Sequence, residues 1–159
     1  MPIALFRVDE RLIHGQVVIG WGSTLRPTRY LVVDGALAES GWEQELYDLG
    51  LPQGTTAEYL SPQAARSELD SWRESEVLSL LLTRDVASMA ELAQGGLLRG
   101  EEINLGGIHF QKGREELLPY LFLNAGDRAL LEELKEEGAE VSAQDLPGSP
   151  KVPLAVLLG

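Results

Sequence analysis

Short apolar segments alternate with longer segments of helical periodicity along the whole chain. Most of the apolar segments are rich in Val, Ile and Leu and have the near-continuous hydrophobic character of strands that are covered on both faces. They predict strands near residues 3–6, 30–33, 55–60, 76–83, 101–107, 116–123 and 139–144. Pro119 falls inside the sixth segment, where it is compatible only with an edge strand or a strand start.

The intervening segments repeat apolar residues every three or four positions, which is typical of amphipathic helices. They predict helices over residues 17 to about 24–27, 36 to about 50, 62–72, 85–98 and 127–137, and a short apolar tail over 151–158. Ser61 and Pro62 form a strong helix start. The alternation over 1–159 predicts a single domain with an α/β fold, a three-layer sandwich whose largely parallel central sheet has about six strands.

One stretch joins the first strand to the first helix and carries the residues best suited to chemistry. Residues 7–17 read Arg-Val-Asp-Glu-Arg-Leu-Ile-His-Gly-Gln-Val, which places His14 where a strand-to-helix loop meets a helix start. Free backbone N–H groups and the positive end of the helix dipole favour an anion there, and Gly15 lets the backbone approach it closely. A neutral imidazole is a competent nucleophile towards a phosphoryl group.

Two charged side chains of the same stretch could support this chemistry. Arg11 supplies a planar guanidinium suited to phosphate oxygens, and Asp9 could hold Arg11 in place or orient the imidazole. A simpler interpretation is also open, because a lone histidine beside a helix start is most often a surface or capping residue. An Arg–Asp pair is, by itself, an ordinary surface ion pair.

Two other predicted strands end in polar residues. Asp34 follows the strand over 30–33, and sites in open α/β sheets collect at the carboxyl ends of strands. Asp34 could equally be a turn residue or a helix cap. Thr83 ends the strand over 76–83 and is predicted to cap the helix over 85–98.

Composition narrows the classes of function. The chain has 13 Lys and Arg against 25 Asp and Glu, and its net charge of −12 argues against nucleic acid or an anionic membrane as partner. The absence of cysteine excludes disulfides, thiolate catalysis and thiolate metal sites, and two scattered histidines argue against zinc. We therefore expect no metal and no cofactor. The sequence shows no signal-peptide pattern and no apolar run of membrane-spanning length, which predicts a cytoplasmic protein.

The stretch over residues 8–17 resembles the phosphorylation loop of the IIB subunits of the mannose/fructose/sorbose class of the bacterial sugar phosphotransferase system. A second signature of that family is similar to Asn-Leu-Gly-Gly-Ile over residues 104–108. The resemblance implies that His14 is the phosphorylated residue, that Arg11 contacts the phosphoryl group and that Asp9 belongs to the same site. His109 follows the second signature, at a position that varies in the family and adjoins a turn, so we expect no catalytic role for it.

The resemblance spans nearly the whole chain and adds three candidates near the histidine loop. It places Asp34 near that loop, and it makes Thr83 a candidate hydrogen-bond donor behind the phosphoryl site. Arg84 becomes a candidate contact for phosphate or for a partner. Capping remains the expected main role of Thr83.

The resemblance also implies a function and partners. His14 would accept a phosphoryl group from the phosphohistidine of a IIA protein and pass it to a sugar in a membrane IIC/IID transporter. The alternative is a regulatory phosphoacceptor that reports phosphotransferase status without transport. Which sugar, which ring nitrogen and whether a homo-oligomer forms stay open. Basic residues common on the helix after His14 are missing here, so a positive patch is predicted from Arg7, Arg11, Arg26, Arg29 and Arg84.

Overall fold

A computed structural model describes residues 2–159 and contains the expected alternation of strands and helices. The strands are β1 (Ile3–Val8), β2 (Arg29–Val33), β3 (Thr56–Leu60), β4 (Ser79–Thr83), β5 (Glu102–Leu105), β6 (Glu115–Leu118), β7 (Leu121–Leu123), β8 (Glu140–Ala143) and β9 (Val152–Pro153). The helices are α1 (Gly22–Leu25), α2 (Gly35–Ala38), α3 (Gly41–Asp48), α4 (Pro62–Glu74), α5 (Val86–Ala93), α6 (Ala125–Glu136) and α7 (Leu154–Leu158). A π-helical segment, Gln16–Trp21, precedes α1 directly.

The described residues form a seven-stranded sheet in the order β3-β2-β4-β1-β5-β8-β9. All neighbouring strands run parallel except β9, which pairs antiparallel with β8. The predicted α/β class with a largely parallel sheet is therefore confirmed. The sheet has seven strands instead of about six, because the start of the apolar tail adds β9 at the edge.

The central strands contribute alternate side chains to two cores, one on each face of the sheet. In β4, Leu81 faces the core beneath α4, α5 and α6, whereas Leu80 and Leu82 face the core beneath the π-helical segment and α2. Burial on both faces explains the unbroken apolar runs in the sequence. The result is the predicted three-layer arrangement.

Three predicted elements differ from the structure. The helix predicted over 36–50 is divided into α2 and α3, because Ser40 adopts a non-helical conformation before Gly41. The helix predicted over 85–98 ends at Ala93, because Gly95 and Gly96 have positive φ angles of 77° and 80°. The single strand predicted over 116–123 is wrong: the chain turns at Pro119 and forms the antiparallel hairpin of β6 and β7.

The strand order defines a crevice at the carboxyl edge of the sheet. Strands β2 and β4 are neighbours, but the chain leaves β2 towards β3 and leaves β4 towards β5, in opposite directions. Ligands of open α/β sheets bind where the connections diverge in this way. The loops that follow β1, β2, β4 and β5 all reach this edge.

Candidate functional site

The loop after β1 is attached to both neighbouring strands. The N–H of Asp9 donates to the carbonyl of Thr83 at 2.9 Å, and the N–H of Glu10 donates to the carbonyl of Gly107 at 2.9 Å. Leu12 has a φ of 58°, an uncommon left-handed conformation for a side chain of this size, and it is fully buried. Burial of Leu12 holds the turn that presents His14 at the surface.

His14 lies at the start of the helical segment, as the sequence predicts. The N–H groups of Val17 and Val18 both donate to the carbonyl of His14, at 3.0 and 2.9 Å. Gly15 precedes the first helical residue, and a Cβ built on it would meet open space among residues 2–159. The backbone beside His14 is therefore open to an incoming group.

The two nitrogens of the His14 ring have different surroundings. Nδ1 accepts a hydrogen bond from the backbone N–H of Gln16 at 3.3 Å, so this nitrogen carries no proton. Nε2 is buried and lies 3.4 Å from Oδ2 of Asp9. That separation is long and poorly aligned for a hydrogen bond, so we treat it as an electrostatic contact that sets the ring orientation. The side chain as a whole is 17% exposed.

Asp9 is the centre of the site and is fully buried. Its Oδ2 accepts from Arg7 at 3.1 Å, from Arg11 at 3.2 Å and from the N–H of Gly107 at 3.3 Å. Burial alone would raise the pKa of the Asp9 carboxyl. The contacts with His14 and Arg11 and the charge of Arg7 outweigh burial and hold this pKa well below its usual range. Asp9 is therefore ionised at neutral pH, beside the imidazole.

Arg11 makes three side-chain hydrogen bonds although its side chain is 37% exposed. Its Nε and Nη2 donate to the two oxygens of Asp9 at 3.2 Å each, which is the bidentate geometry of a guanidinium and a carboxylate. Its Nη2 also donates to Oε1 of Gln16 at 2.5 Å. A Cβ at Gly107 would lie 2.9 Å from the guanidinium, so the second predicted signature supplies space for Arg11. The guanidinium is therefore fixed in orientation.

Arg7 is a site residue that the sequence reasoning missed. It is fully buried and donates to Asp9, to the side chain of Asn104 and to the carbonyls of Gln144 (2.9 Å) and Asp145 (3.1 Å). Burial lowers the pKa of the Arg7 guanidinium from its ordinary value, and the charge of Asp9 opposes this shift. The sequence did contain a signal for this role, because Arg7 stands inside an apolar strand. A cation buried at such a position needs a buried counter-ion.

The predicted positive patch is not formed. Arg7 is buried, Arg29 is the first residue of β2 and Arg26 lies just before it, at the opposite end of the strands. Arg29 is paired there with Glu58 at 3.4 Å. Arg11 and Arg84 are the exposed members of the set that reach the carboxyl edge, because Arg7 is buried and strand direction separates Arg26 and Arg29 from that edge.

The loop after β8 closes the site from the other side and was also missed. Oδ1 of Asp145 accepts from Nε2 of Gln16 at 2.8 Å, and its carbonyl accepts from the indole N–H of Trp21 at 3.0 Å. Gln16 therefore connects Arg11 to Asp145. The position of Gln16 directly after His14 and Gly15 could have indicated a role in the site. Its partner Asp145 lies 129 positions away and could not have been found from the sequence.

The remaining candidates lie beside this cluster. Asp34 caps α2 by accepting from the N–H of Leu37 at 3.0 Å, and its other oxygen lies 3.4 Å from Nε of Arg84. Thr83 is buried and donates to the carbonyl of Asp85 at 2.9 Å. The prediction that Thr83 caps α5 is wrong, because Asp85 does so through the N–H of Ser88.

His109 lies outside the cluster, with its Nδ1 2.6 Å from the carboxylate of Glu10. Within residues 2–159, no group of three or more His, Asp or Glu side chains is arranged to hold a metal ion. Nor does any helix of that range have the length and apolar character needed to span a bilayer. The side chains brought together at the site are an imidazole, a carboxylate and two guanidinium groups.

Comparison with known proteins identifies the class to which this fold and site belong. The family described as "PTS system sorbose subfamily IIB component" matches residues 3–159. The chain is 31% identical to the N-acetylgalactosamine-specific phosphotransferase enzyme IIB component 2 of Escherichia coli, over 99% of this chain and 100% of that protein. It is 27% identical to the sorbose-specific EIIB component of Lacticaseibacillus casei, over 94% and 91%.

A solved structure gives the same result. The crystal structure of the N-acetylgalactosamine-specific IIB component 1 from Escherichia coli superposes with a TM-score of 0.86 at 26% identity, and the match covers 94% of this chain and 97% of that one. This chain belongs to the sorbose subfamily of IIB components of the sugar phosphotransferase system. The IIB components of that system are phosphotransferases in sugar transport.

Proposed function

We propose that His14 accepts a phosphoryl group from the phosphohistidine of a IIA protein and passes it to a sugar. The observation that carries the proposal is the contact of the His14 imidazole with a fully buried carboxylate, Asp9, that Arg7 and Arg11 hold ionised. A ring oriented in this way by an ionised carboxylate is prepared to become positively charged during transfer.

Nδ1 is the nitrogen we propose as the acceptor. Nε2 is buried against Asp9, whereas Nδ1 faces the start of the helical segment, and its lone pair becomes free to attack phosphorus when it gives up the 3.3 Å hydrogen bond from the N–H of Gln16. In the first step Nδ1 forms a bond to phosphorus while the N–P bond of the donor histidine breaks, and the proton on Nε2 stays beside Asp9. The negative carboxylate stabilises the positive charge that develops on the ring.

Arg11 is proposed to bind the phosphoryl oxygens during transfer. Its guanidinium is fixed by Asp9 and Gln16 but keeps an exposed surface, so it can stabilise charge on the peripheral oxygens without moving. Gly15 would let the same oxygens reach backbone N–H groups. Thr83 supports the loop through its carbonyl, and Asp34 and Arg84 would border the site rather than take part in the chemistry.

The second step delivers the phosphoryl group to a sugar hydroxyl. The hydroxyl oxygen bonds to phosphorus as the Nδ1–P bond breaks, the hydroxyl proton passes to solvent water, and His14 returns to the neutral state. We propose that a membrane IIC/IID transporter presents the sugar at the cytoplasmic side. The relatives' names include N-acetylgalactosamine and sorbose, so an N-acetylhexosamine and a ketohexose belong in any substrate panel.

The test supplies phosphorylated protein to membranes that contain a cognate IIC/IID pair and follows sugar phosphate over a panel of hexoses and N-acetylhexosamines. Sugar phosphate should appear with the native protein and not with the His14→Ala variant. A phosphoprotein that stays phosphorylated with every sugar would contradict the transport role and would favour a regulatory phosphoacceptor.

A further inference from the structure

Helix α3 presents an apolar stripe to solvent. Trp42, Leu46 and Leu49 are spaced by four and three residues, so they lie on one face of the helix and its C-terminal turn. They are 67%, 58% and 83% exposed. Three large apolar side chains on one exposed face form a patch of the kind that marks an interaction site. We call these three residues the α3 stripe.

The α3 stripe borders the loop that carries His14. Ile13, which precedes His14, lines a cavity of about 800 Å³ together with Trp42, Leu46 and Gly50. A Cβ built on Gly50 would lie 3.7 Å from Cγ2 of Ile13. Gly50 directly follows Leu49, so the C-terminal end of the stripe lies beside the loop that carries His14. A stable protein interface covers about 800 Å² on each partner. A protein seated over His14 would therefore also cover the stripe.

Charge determines which partner needs an apolar contact here. A phosphorylated donor brings a phosphoryl dianion to a chain whose net charge is −12, so long-range electrostatics oppose the approach. Residues 16–25, which follow His14, carry no charged side chain, and Ile19 among them is 69% exposed. Arg84, at the rim of the cavity, is paired with Asp34. Apart from the proposed contact of Arg11 with the phosphoryl oxygens, the binding free energy for the donor must therefore come largely from apolar burial.

We propose that the α3 stripe is the docking surface for the phosphorylated IIA donor protein, with Trp42 as its anchor. The inference rests on the proposed function, since it names where the donor of that reaction binds. A sugar acceptor is neutral and meets no such repulsion. Apolar contact that offsets electrostatic repulsion is therefore needed only in the step that binds the phosphorylated donor. Aromatic anchors surrounded by smaller apolar residues carry most of the affinity in interfaces of this kind.

The experiment measures phosphorylation of His14 at varied concentrations of phosphorylated IIA, for native protein and for Trp42→Ser, Leu46→Ser and Leu49→Ser. The KM for the donor should rise about tenfold for Trp42→Ser and about threefold for each leucine variant, with kcat unchanged. High salt should not raise the KM of the native protein, because apolar contact is not screened. The matched control is Val156→Ser: Val156 is 67% exposed on α7, which follows β9 at the other end of the parallel strands.

A small phosphodonor separates this inference from the function on which it rests. Phosphoramidate transfers its phosphoryl group to imidazole with release of ammonia and needs no protein docking surface. It should label native protein and Trp42→Ser at equal rates. If it labels neither, and phosphorylated IIA also fails, the proposed function itself is wrong. If both are labelled but the donor KM is the same in Trp42→Ser, the docking surface is wrong.

Two other occupants of the α3 stripe are outcomes of the same test. Trp42→Ser with a normal donor KM but impaired sugar phosphorylation in membranes would assign the stripe to the transporter. A native dimer that dissociates in Trp42→Ser, measured by sedimentation, would assign it to a second copy of the chain. Either result overturns the inference.

Discussion

Two arginine–aspartate pairs lie at the carboxyl edge of the sheet and differ in how firmly they are held. The side chains of Arg11 and Arg84 are equally exposed, at 37%. The side chain of Arg11 makes two hydrogen bonds to Asp9, which is fully buried and forms a second ion pair with Arg7. Arg84 makes one contact of 3.4 Å with Asp34, whose other oxygen caps a helix.

The comparison shows that exposure alone does not distinguish Arg11, which we propose to act on the phosphoryl group, from Arg84, which we propose to border the site. What separates them is fixation, since a preorganised charge stabilises a transition state without first reorganising. The Asp9 side of the edge is built from β1, β5 and the loop after β8, whereas the Asp34 side rests on one helix cap. We therefore assign the chemistry to the first pair, and four predictions test that assignment.

The largest effect is expected at His14, which belongs to the Asp9 side. His14→Ala should abolish labelling by a phosphorylated IIA donor, because it removes the nucleophile. The native protein should carry one acid-labile, base-stable phosphate, detected by mass spectrometry. His109→Ala is the control and should keep full labelling, since His109 is 63% exposed and paired with Glu10. Labelling that survives in His14→Ala would place the chemistry elsewhere.

Arg7→Met should produce the largest loss of stability. The substitution leaves Asp9 buried without one of its cations, and breaking a buried ion pair typically costs about 3–5 kcal/mol. The free energy of unfolding from urea titration should fall by that amount. Arg29→Met, which removes a pair at the other end of β2 whose Glu58 is 47% exposed, is the comparison and should cost far less. Equal losses in the two variants would argue that Asp9 does not depend on Arg7.

Arg11→Ala and Arg84→Ala compare the two pairs directly. Arg11→Ala should slow phosphorylation of His14 about 10²-fold, the cost of losing one preorganised charge-assisted contact. Arg11→Lys should recover part of the rate, because an ammonium lacks the planar fork. Arg84→Ala should change the rate by less than about threefold, near the contribution of an exposed ion pair. The rates come from quenched-flow labelling, and a reversed order would move the active arginine to the Asp34 side.

The smallest effect is a difference in pH dependence. The pKa of Asp9 is lowered in the folded protein, so its ionised form stabilises the fold above about pH 3.9, the unfolded value, and that contribution is lost as the pH falls further. Asp9→Asn should therefore cost about 3 kcal/mol at pH 7, near the lower end for a broken buried ion pair, because the amide oxygen of Asn can still accept a hydrogen bond from Arg7. The difference in the free energy of unfolding between Asp9→Asn and native protein, measured by urea titration, should become smaller below pH 4. A difference that is constant down to pH 3 would contradict an ionised Asp9.

Much of the fold could be predicted because its determinants are local. Unbroken apolar runs gave the central strands, and Ser61–Pro62 gave the start of α4, with Ser61 accepting from the N–H of Ala64 at 3.1 Å. The failures were local conflicts that periodicity does not register. The polar segment before Gly41 divides α2 from α3, and Pro119 converts one apolar run into a hairpin.

The sequence by itself determined the candidate phosphorylation loop, because His14, Arg11 and Asp9 lie within six residues and their spacing suits a strand-to-helix turn. Tertiary structure decided what surrounds them. Arg7 is a buried cation because its partners at Asn104 and Gln144 are 97 and 137 positions away, and only the parallel pairing of β1 with β5 and of β5 with β8 brings them to it. No pattern along the chain encodes contacts of that separation, because they depend on how the strands are ordered in the sheet.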